Sequence, residues 1–266
     1  MEILHHRIGR HAIEVWAPPS LSPTTPVLVM HDGKNVFNPA TSTVGVTWGV
    51  AEAVERSIAP VHPQLQPLIV AVWVPDERRR FQELAPQSVM EHFPEIWDEV
   101  GGPTASWAID DRRLRGNAYQ DLLALEVLPW ARERFGVERC RERTAVCGSS
   151  MGGLASLYAL ARHPEAWGSA LALSTHFPLG DGRMGAGLAS VLPPPGRHRI
   201  WMDYGDQTLD AAYAPYQAAF DADLAARGWQ LGTDVLTTAF PGHDHSERAW
   251  SARIHLALTW WLEGLR

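Results

Sequence analysis

A serine hydroxyl becomes a useful nucleophile only when a base takes its proton and hydrogen-bond donors receive the charge that then develops. Residues 146–153 read VCGSSMGG, and Gly148-Ser149-Ser150-Met151-Gly152 within them fits G-x-S-x-G. The pattern marks a tight turn from a strand into a helix with the serine at its apex. The residues two before and two after the apex must be small. With Ser150 at the apex those positions hold Gly148 and Gly152; with Ser149 they would hold Cys147 and Met151. Ser150 is therefore the candidate nucleophile. The glycines would relieve Cβ clashes, and the helix beyond would favour negative charge at its start. The bland alternative is a glycine-rich strand–helix turn without chemistry.

A base and an acid should follow in the chain order Ser, acid, His. His243 and His245 lie in FPGHDHSERAW, after the last predicted strand and before the last predicted helix, where a base loop belongs. His198 precedes a strand and His255 sits inside a helix, so packing or surface roles suit them better. The acid should follow the strand in IWMDYGDQTLD. Asp203 falls inside that strand, where it would point away or pair locally. Asp206 and Asp210 both qualify by position. Asp206 directly follows Gly205 and is placed to cap the coming helix, which would occupy its carboxylate. That favours Asp210 as the acid, with Asp206 as the alternative. Two backbone amides should hold the oxyanion: Met151, directly after the nucleophile, and Lys34, in the loop after the strand PVLVMHD.

These residues need a scaffold, and the chain reads as one. HAIEVWA alternates like a half-buried strand, whereas PVLVMHD and PLIVAVWV are short continuous apolar runs, as in strands buried on both faces. RTAVCGS, AWGSALALST, HRIWMDYG and TDVLTTAF continue the strand series, with helical patterns between most of them. One helix, YQDLLALEVLPWARERF, should kink at Pro129. The last helix carries Trp250, Ile254, Ala257, Leu258 and Trp261 on one stripe. The alternation predicts an α/β fold with a mainly parallel central sheet and helices on both faces, in one domain over residues 1–266. Residues 78–116 have mixed polarity, prolines and no sustained period, and are expected to form an irregular wall or lid over the site.

Composition narrows the partners. The formal net charge is −7, which argues against nucleic acid. Two cysteines, Cys140 and Cys147, are too few for a disulfide framework and lack metal-ligand spacing. No signal-like apolar core or membrane-length run is present, so a soluble cytoplasmic protein with no cofactor and no metal is expected.

With these motifs in hand, the chain resembles an esterase family of the α/β-hydrolases that includes enterochelin-type siderophore esterases, feruloyl esterases, S-formylglutathione hydrolases and mycolyltransferases. VLVMHDGKNVF is similar to its D-G-Q-N-x-F loop, and AVWVPDERRRFQELAP to its R-x-x-E-x-x-P stretch. VCGSSMGGLASLYALARHPEAWGSALALSTHFP resembles the nucleophile segment of one branch. The likeness runs from about residue 12 to the C-terminus. It implies Ser150 as nucleophile and His245 as base, because the family's histidine precedes a tryptophan by five residues, here Trp250; His243 falls where relatives often have glycine. The sequence departs at the acid. Relatives often carry it three residues after the strand's last glycine, where Thr208 stands here, and a loop two residues longer would bring in Asp210.

The leading expectation is a carboxylic ester hydrolase acting on a small-molecule ester through a Ser–His–Asp triad. Acyl transfer at the same site is the alternative. A metallohydrolase using HDH at 243–245 lacks a third clustered ligand. A non-catalytic binding protein on the same scaffold is the remaining reading. Twelve tryptophans do not identify the substrate, since most tryptophans pack in cores.

Overall fold

The computed structural model describes residues 2–97 and 113–265. Eight strands form one sheet: β1 (Leu4–Ile8), β2 (His11–Trp16), β3 (Val27–Met30), β4 (Leu68–Val72), β5 (Thr144–Ser149), β6 (Ser169–Leu173), β7 (Arg199–Gly205) and β8 (Val235–Phe240). Their order is β1-β2-β4-β3-β5-β6-β7-β8. The first two pairings, β1 with β2 and β2 with β4, are antiparallel, and every later pairing is parallel. This is the α/β-hydrolase arrangement. The central strands β3, β4, β5 and β6 are buried throughout, as their continuous apolar runs require of a sheet covered on both faces.

Alternate residues of each strand feed two cores. Val29, Val70 and Val146 pack on one side with helices Met151–Arg162, Arg183–Val191 and Tyr213–Ala226. Leu28, Ile69 and Cys147 pack on the other, against the C-terminal helix Glu247–Glu263. That helix buries the stripe Trp250, Ile254, Ala257, Leu258 and Trp261 read from the sequence. Both cysteines are free thiols, and burial pushes the Cys147 thiol well above its ordinary range.

Two local expectations change. The segment before β5 does not simply kink at Pro129. It runs through Gly116–Leu122, a π-helical turn over Leu123–Val127, and Leu128–Phe135 with Pro129 in its first turn. The helical path is unbroken from Gly116 to Phe135, and the π turn lies directly ahead of Pro129, whose missing N–H leaves one interior hydrogen bond unmade. Residues 78–116, expected to be irregular, are helical over Glu77–Leu84 and Gln87–His92; residues 98–112 of that stretch lie outside the described residues. Prolines at 86 and 94 divide the segment into helices too short to show a sustained period in the sequence.

Candidate active site

Parallel strands bring their carboxyl ends to one edge, where the following loops build clefts. Ser150 follows β5 there with φ 56° and ψ −118°, a conformation that costs a non-glycine residue about 1–3 kcal/mol and persists only where the surroundings fix it. They do so by hydrogen bonds from the Ser150 amide to the Leu173 carbonyl, 2.9 Å, and from the His176 amide to the Ser150 carbonyl, 3.3 Å. A Cβ at Gly148 would lie 2.6 Å from the Gly152 carbonyl oxygen, so only glycine closes this turn. The second tight position differs from expectation. A Cβ at Gly152 would come no nearer than 3.4 Å to a neighbour, His31 Cβ, whereas one at Gly153 would lie 2.5 Å from Thr175 Oγ1. The first helical amides bonded backward are those of Gly153 and Leu154, to the Ser150 carbonyl, which leaves Met151 ahead of the first helical hydrogen bond.

Lys34 stands in the 3₁₀ turn Gly33–Asn35 after β3. The turn is held at its start by Asp32, whose backbone takes φ 52°. The Asp32 carboxylate accepts both Arg80 Nε and Nη2, at 2.8 and 2.7 Å. Burial alone would raise the Asp32 carboxyl, but the Arg80 charge and hydrogen bonds hold it below its usual value. Arg80 and Glu83 are the R-x-x-E residues; Glu83 lies 3.0 Å from His11 Nε2.

His245 lies between β8 and the C-terminal helix. Its amide donates to Thr208 Oγ1 at 2.9 Å, and its Nδ1 lies 2.6 Å from Asp210 Oδ1. Asp210 is fully buried; its Oδ2 accepts from Ser174 Oγ at 2.6 Å and from the Gly205 amide at 2.7 Å. Burial would raise the Asp210 carboxyl, and the hydrogen bonds from His245, Ser174 and Gly205 outweigh it, so the carboxyl sits below its ordinary value. The His245 ring stands edge-on to Trp250, 5.0 Å between centroids, and to Tyr213, 5.7 Å.

The alternative acid is elsewhere. Asp206 is exposed, and its Oδ1 accepts from the Gly242 amide at 2.7 Å and from Gln207 Nε2 at 2.8 Å. It does not cap the helix, as the sequence suggested; it ties the turn after β7 to the loop after β8. His243 joins the same tie through its carbonyl, which accepts the Asp206 and Gln207 amides at 3.1 and 3.0 Å. The candidate metal motif HDH is thus dispersed, with Asp244 bound to Ser246 Oγ at 2.5 Å. Among the described residues, no group of three or more His, Cys, Asp or Glu side chains could hold a metal ion. Thr208, at the position the resemblance pointed to for the acid, supports His245 from its hydroxyl instead. His198 Nδ1 bonds the Trp167 carbonyl at 3.0 Å, a packing role.

Behind Asp210 lies a buried network that the sequence did not reveal. Ser174 Oγ accepts from Trp250 Nε1 at 3.0 Å and from Arg253 Nη2 at 2.7 Å. Arg253 Nε donates to Asp203 Oδ1 at 2.9 Å, and Trp201 Nε1 to Asp203 Oδ2 at 2.8 Å. The Trp250 spacing signalled its end of this network; nothing in the sequence singled out Ser174 or Arg253.

Ser150, His245, Lys34, Arg80 and Trp250 line one cavity of about 330 Å³. Two larger clefts lie elsewhere. One, about 480 Å³, is at the amino ends of β6 and β7; the other, about 500 Å³, lies between Ala53–Ser57 and the C-terminal helix. The first is lined by Ser169 and His198 and the second by Ser57, Ser251 and His255, but none of these serines has the strained backbone of Ser150, so size does not mark the site here.

A sequence model of the family described as "Putative esterase" matches residues 111–259, more than half of the chain. A comparison with curated proteins finds no match. Among solved structures, the chain is similar to the enterobactin esterase FES from Shigella flexneri in the presence of 2,3-di-hydroxy-N-benzoyl-glycine. The TM-score is 0.68 at 17% identity, over 100% of this chain and 60% of that one. The enterobactin hydrolase IroE in complex with DFP aligns with a TM-score of 0.64 and 16% identity, over 95% of this chain and 89% of that one. The siderophore hydrolase EstA from Aspergillus nidulans gives 0.63 and 17%, over 97% and 94%. At these identities the similarity establishes the fold. The chain spans about 60% of the length of FES.

Proposed function

Because the chain belongs to this esterase family and has its α/β-hydrolase fold, we propose that it is a carboxylic ester hydrolase acting on a small-molecule ester through an acyl-enzyme on Ser150. One observation carries the reading. The strained Ser150 turn and His245 face one cavity, and the His245 ring is fixed from behind by a buried, ionised Asp210 2.6 Å from Nδ1. That contact supports a proton on Nδ1 facing Asp210, with Nε2 acting as the base.

In acylation His245 takes the Ser150 proton as Oγ attacks the ester carbonyl. The amides of Met151 and Lys34 receive the oxyanion, assisted by the start of helix Met151–Arg162. The protonated imidazole then gives its proton to the departing alcohol, and Asp210 stabilises the imidazolium in between. Water activated by His245 releases the acid and restores Ser150. Within the described part of residues 78–116, Arg80 serves as part of the wall of the site, a role supported by its place at the cavity and its grip on the Lys34 turn. The named relatives act on enterobactin and other siderophores, which makes ester-linked siderophores a first panel to assay. Among the described residues, no helix is long and apolar enough to cross a membrane.

The test is turnover of p-nitrophenyl acetate. Ser150→Ala and His245→Ala should each lose about 10⁴-fold or more in kcat, and His243→Ala far less. Full turnover by Ser150→Ala would refute the reading.

A further inference from the structure

The cleft of about 500 Å³ away from Ser150 has one wall in the C-terminal helix and the other in Val50–Ala53 and the π-helical turn Val54–Ile58 that continues it. Arg248, Ser251, Ala252 and His255 stand at i, i+3, i+4 and i+7, so one helical face presents a cation, a hydroxyl and an imidazole to the cleft. Arg56 and Ser57 present a second cation and a second hydroxyl from the opposite wall. Among the described residues, no Asp or Glu lines it. The acids nearest in sequence stand outside the lining: Glu247 faces the Ser150 cavity and accepts from Asn35 Nδ2 at 3.4 Å, and Glu52 and Glu55 are exposed. Elsewhere Arg80, Arg162 and Arg253 each grip a carboxylate of the chain. Among the described residues, neither Arg56 nor Arg248 has such a partner. Two guanidiniums facing one cleft without a counter-charge repel each other and gain from an anion between them, and they do so in a chain of net charge −7.

We propose that this cleft is a second binding site, which takes the phosphate monoester of a small organic molecule. Each guanidinium offers a planar fork of N–H donors that matches two phosphate oxygens. The Ser57 and Ser251 hydroxyls and the His255 imidazole supply further donors. A phosphate monoester carries nearly two negative charges at neutral pH and three strongly accepting oxygens, a closer match to two cations than one carboxylate. The volume describes the rest of the ligand. One water molecule takes up about 30 Å³ of the liquid, so the cleft has room for an organic body beside the phosphate. Val46, Ala53 and Ala252 give that body an apolar wall. Binding there needs no ester chemistry at Ser150, so the assignment stands apart from the esterase reading.

Titration calorimetry at low ionic strength, with phenyl phosphate, inorganic phosphate and benzoate as separate probes, tests the assignment. Phenyl phosphate should bind one to a chain with a Kd below about 1 mM. Benzoate, with one charge fewer, should bind at least about 10-fold more weakly, and so should inorganic phosphate, which lacks the organic body. Arg56→Gln and Arg248→Gln should each weaken phenyl phosphate by about 10- to 100-fold, the worth of a charge-assisted hydrogen bond, and the double variant should not bind it. Both side chains are exposed, so the melting temperature and the turnover of p-nitrophenyl acetate should stay near the wild type's. No saturable binding of phenyl phosphate up to about 10 mM would overturn the proposal. Binding kept by the double variant would overturn it too, because the ligand would then lie elsewhere. Benzoate bound as tightly as phenyl phosphate would contradict the choice of a phosphate, and inorganic phosphate bound as tightly would contradict the choice of a monoester.

Discussion

The two halves of the site are built in opposite ways. The Ser150 side is local: Gly148, Ser150, Met151 and Gly153 fall within six consecutive residues, and close contacts to Gly152 and Thr175 force the two glycines. The His245 side is assembled from a distance. His245 rests on Asp210, Asp210 on Ser174, and Ser174 on Arg253, which neutralises Asp203 in the next strand. A local device depends on sterics, and a distributed one on an unbroken chain of buried polar contacts, each of which is costly to leave unpaired. The two halves should therefore fail differently.

The largest expected effect is at Asp210. Asp210→Asn keeps the shape but leaves the His245 tautomer unfixed, and should cost about 10⁴-fold in kcat. Asp206→Asn should leave kcat within about twofold. Equal losses in steady-state assays of the two variants would dissolve the assignment of the acid.

Arg253→Met comes next. It leaves Asp203 buried without its counter-charge and should destabilise the fold by about 3–5 kcal/mol, measured by urea denaturation. Adding Asp203→Leu should restore most of that stability, while activity stays reduced because Ser174 still lacks one of its two donors. Full activity in the double variant would show that the network behind Ser174 does nothing for the base.

On the local side, Gly148→Ala drives a Cβ into backbone and should cost about 1–3 kcal/mol, whereas Gly152→Ala should cost less. The reverse order would mean that the turn can open at its first glycine.

The smallest effect is a slope with pH. Burial holds His31, which lies behind the turn against Gly152, down to about 4, and His176 likewise to about 4. Below about pH 6.5 the unfolded chain binds protons that the folded one refuses. Stability should therefore fall from about pH 6.5 through about pH 4, by at most about 1.4 kcal/mol per unit for each histidine. His31→Asn should flatten part of that slope in thermal melts at a series of pH values; an unchanged slope would mean that His31 is not held neutral.

What the sequence disclosed follows the same division. The Ser150 turn was legible because its glycine spacing is a local necessity, although the structure moves the second tight position from Gly152 to Gly153. The sheet was legible because strands buried on both faces must be continuously apolar. Asp210 was selected partly from the resemblance and partly on the argument that Asp206 caps a helix, but Asp206 instead accepts from the Gly242 amide. The contact between Asp210 and His245 was thus anticipated partly for a wrong reason, since loop-to-loop contacts have no period in a sequence. Ser174, Tyr213 and Arg253 were invisible for the same cause: a buried arginine reads like any other inside a helix until its partners, 50 and 79 residues away, are folded against it.

The central claim is that Ser150 carries the acyl group. Rapid acid quench of wild-type enzyme turning over p-nitrophenyl acetate, followed by peptide mass spectrometry, tests it directly. The account predicts an acetyl group on Ser150, formed within the initial burst of p-nitrophenol and absent in Ser150→Ala. Acetylation of Ser149 in its place, or undiminished turnover by Ser150→Ala, would contradict it.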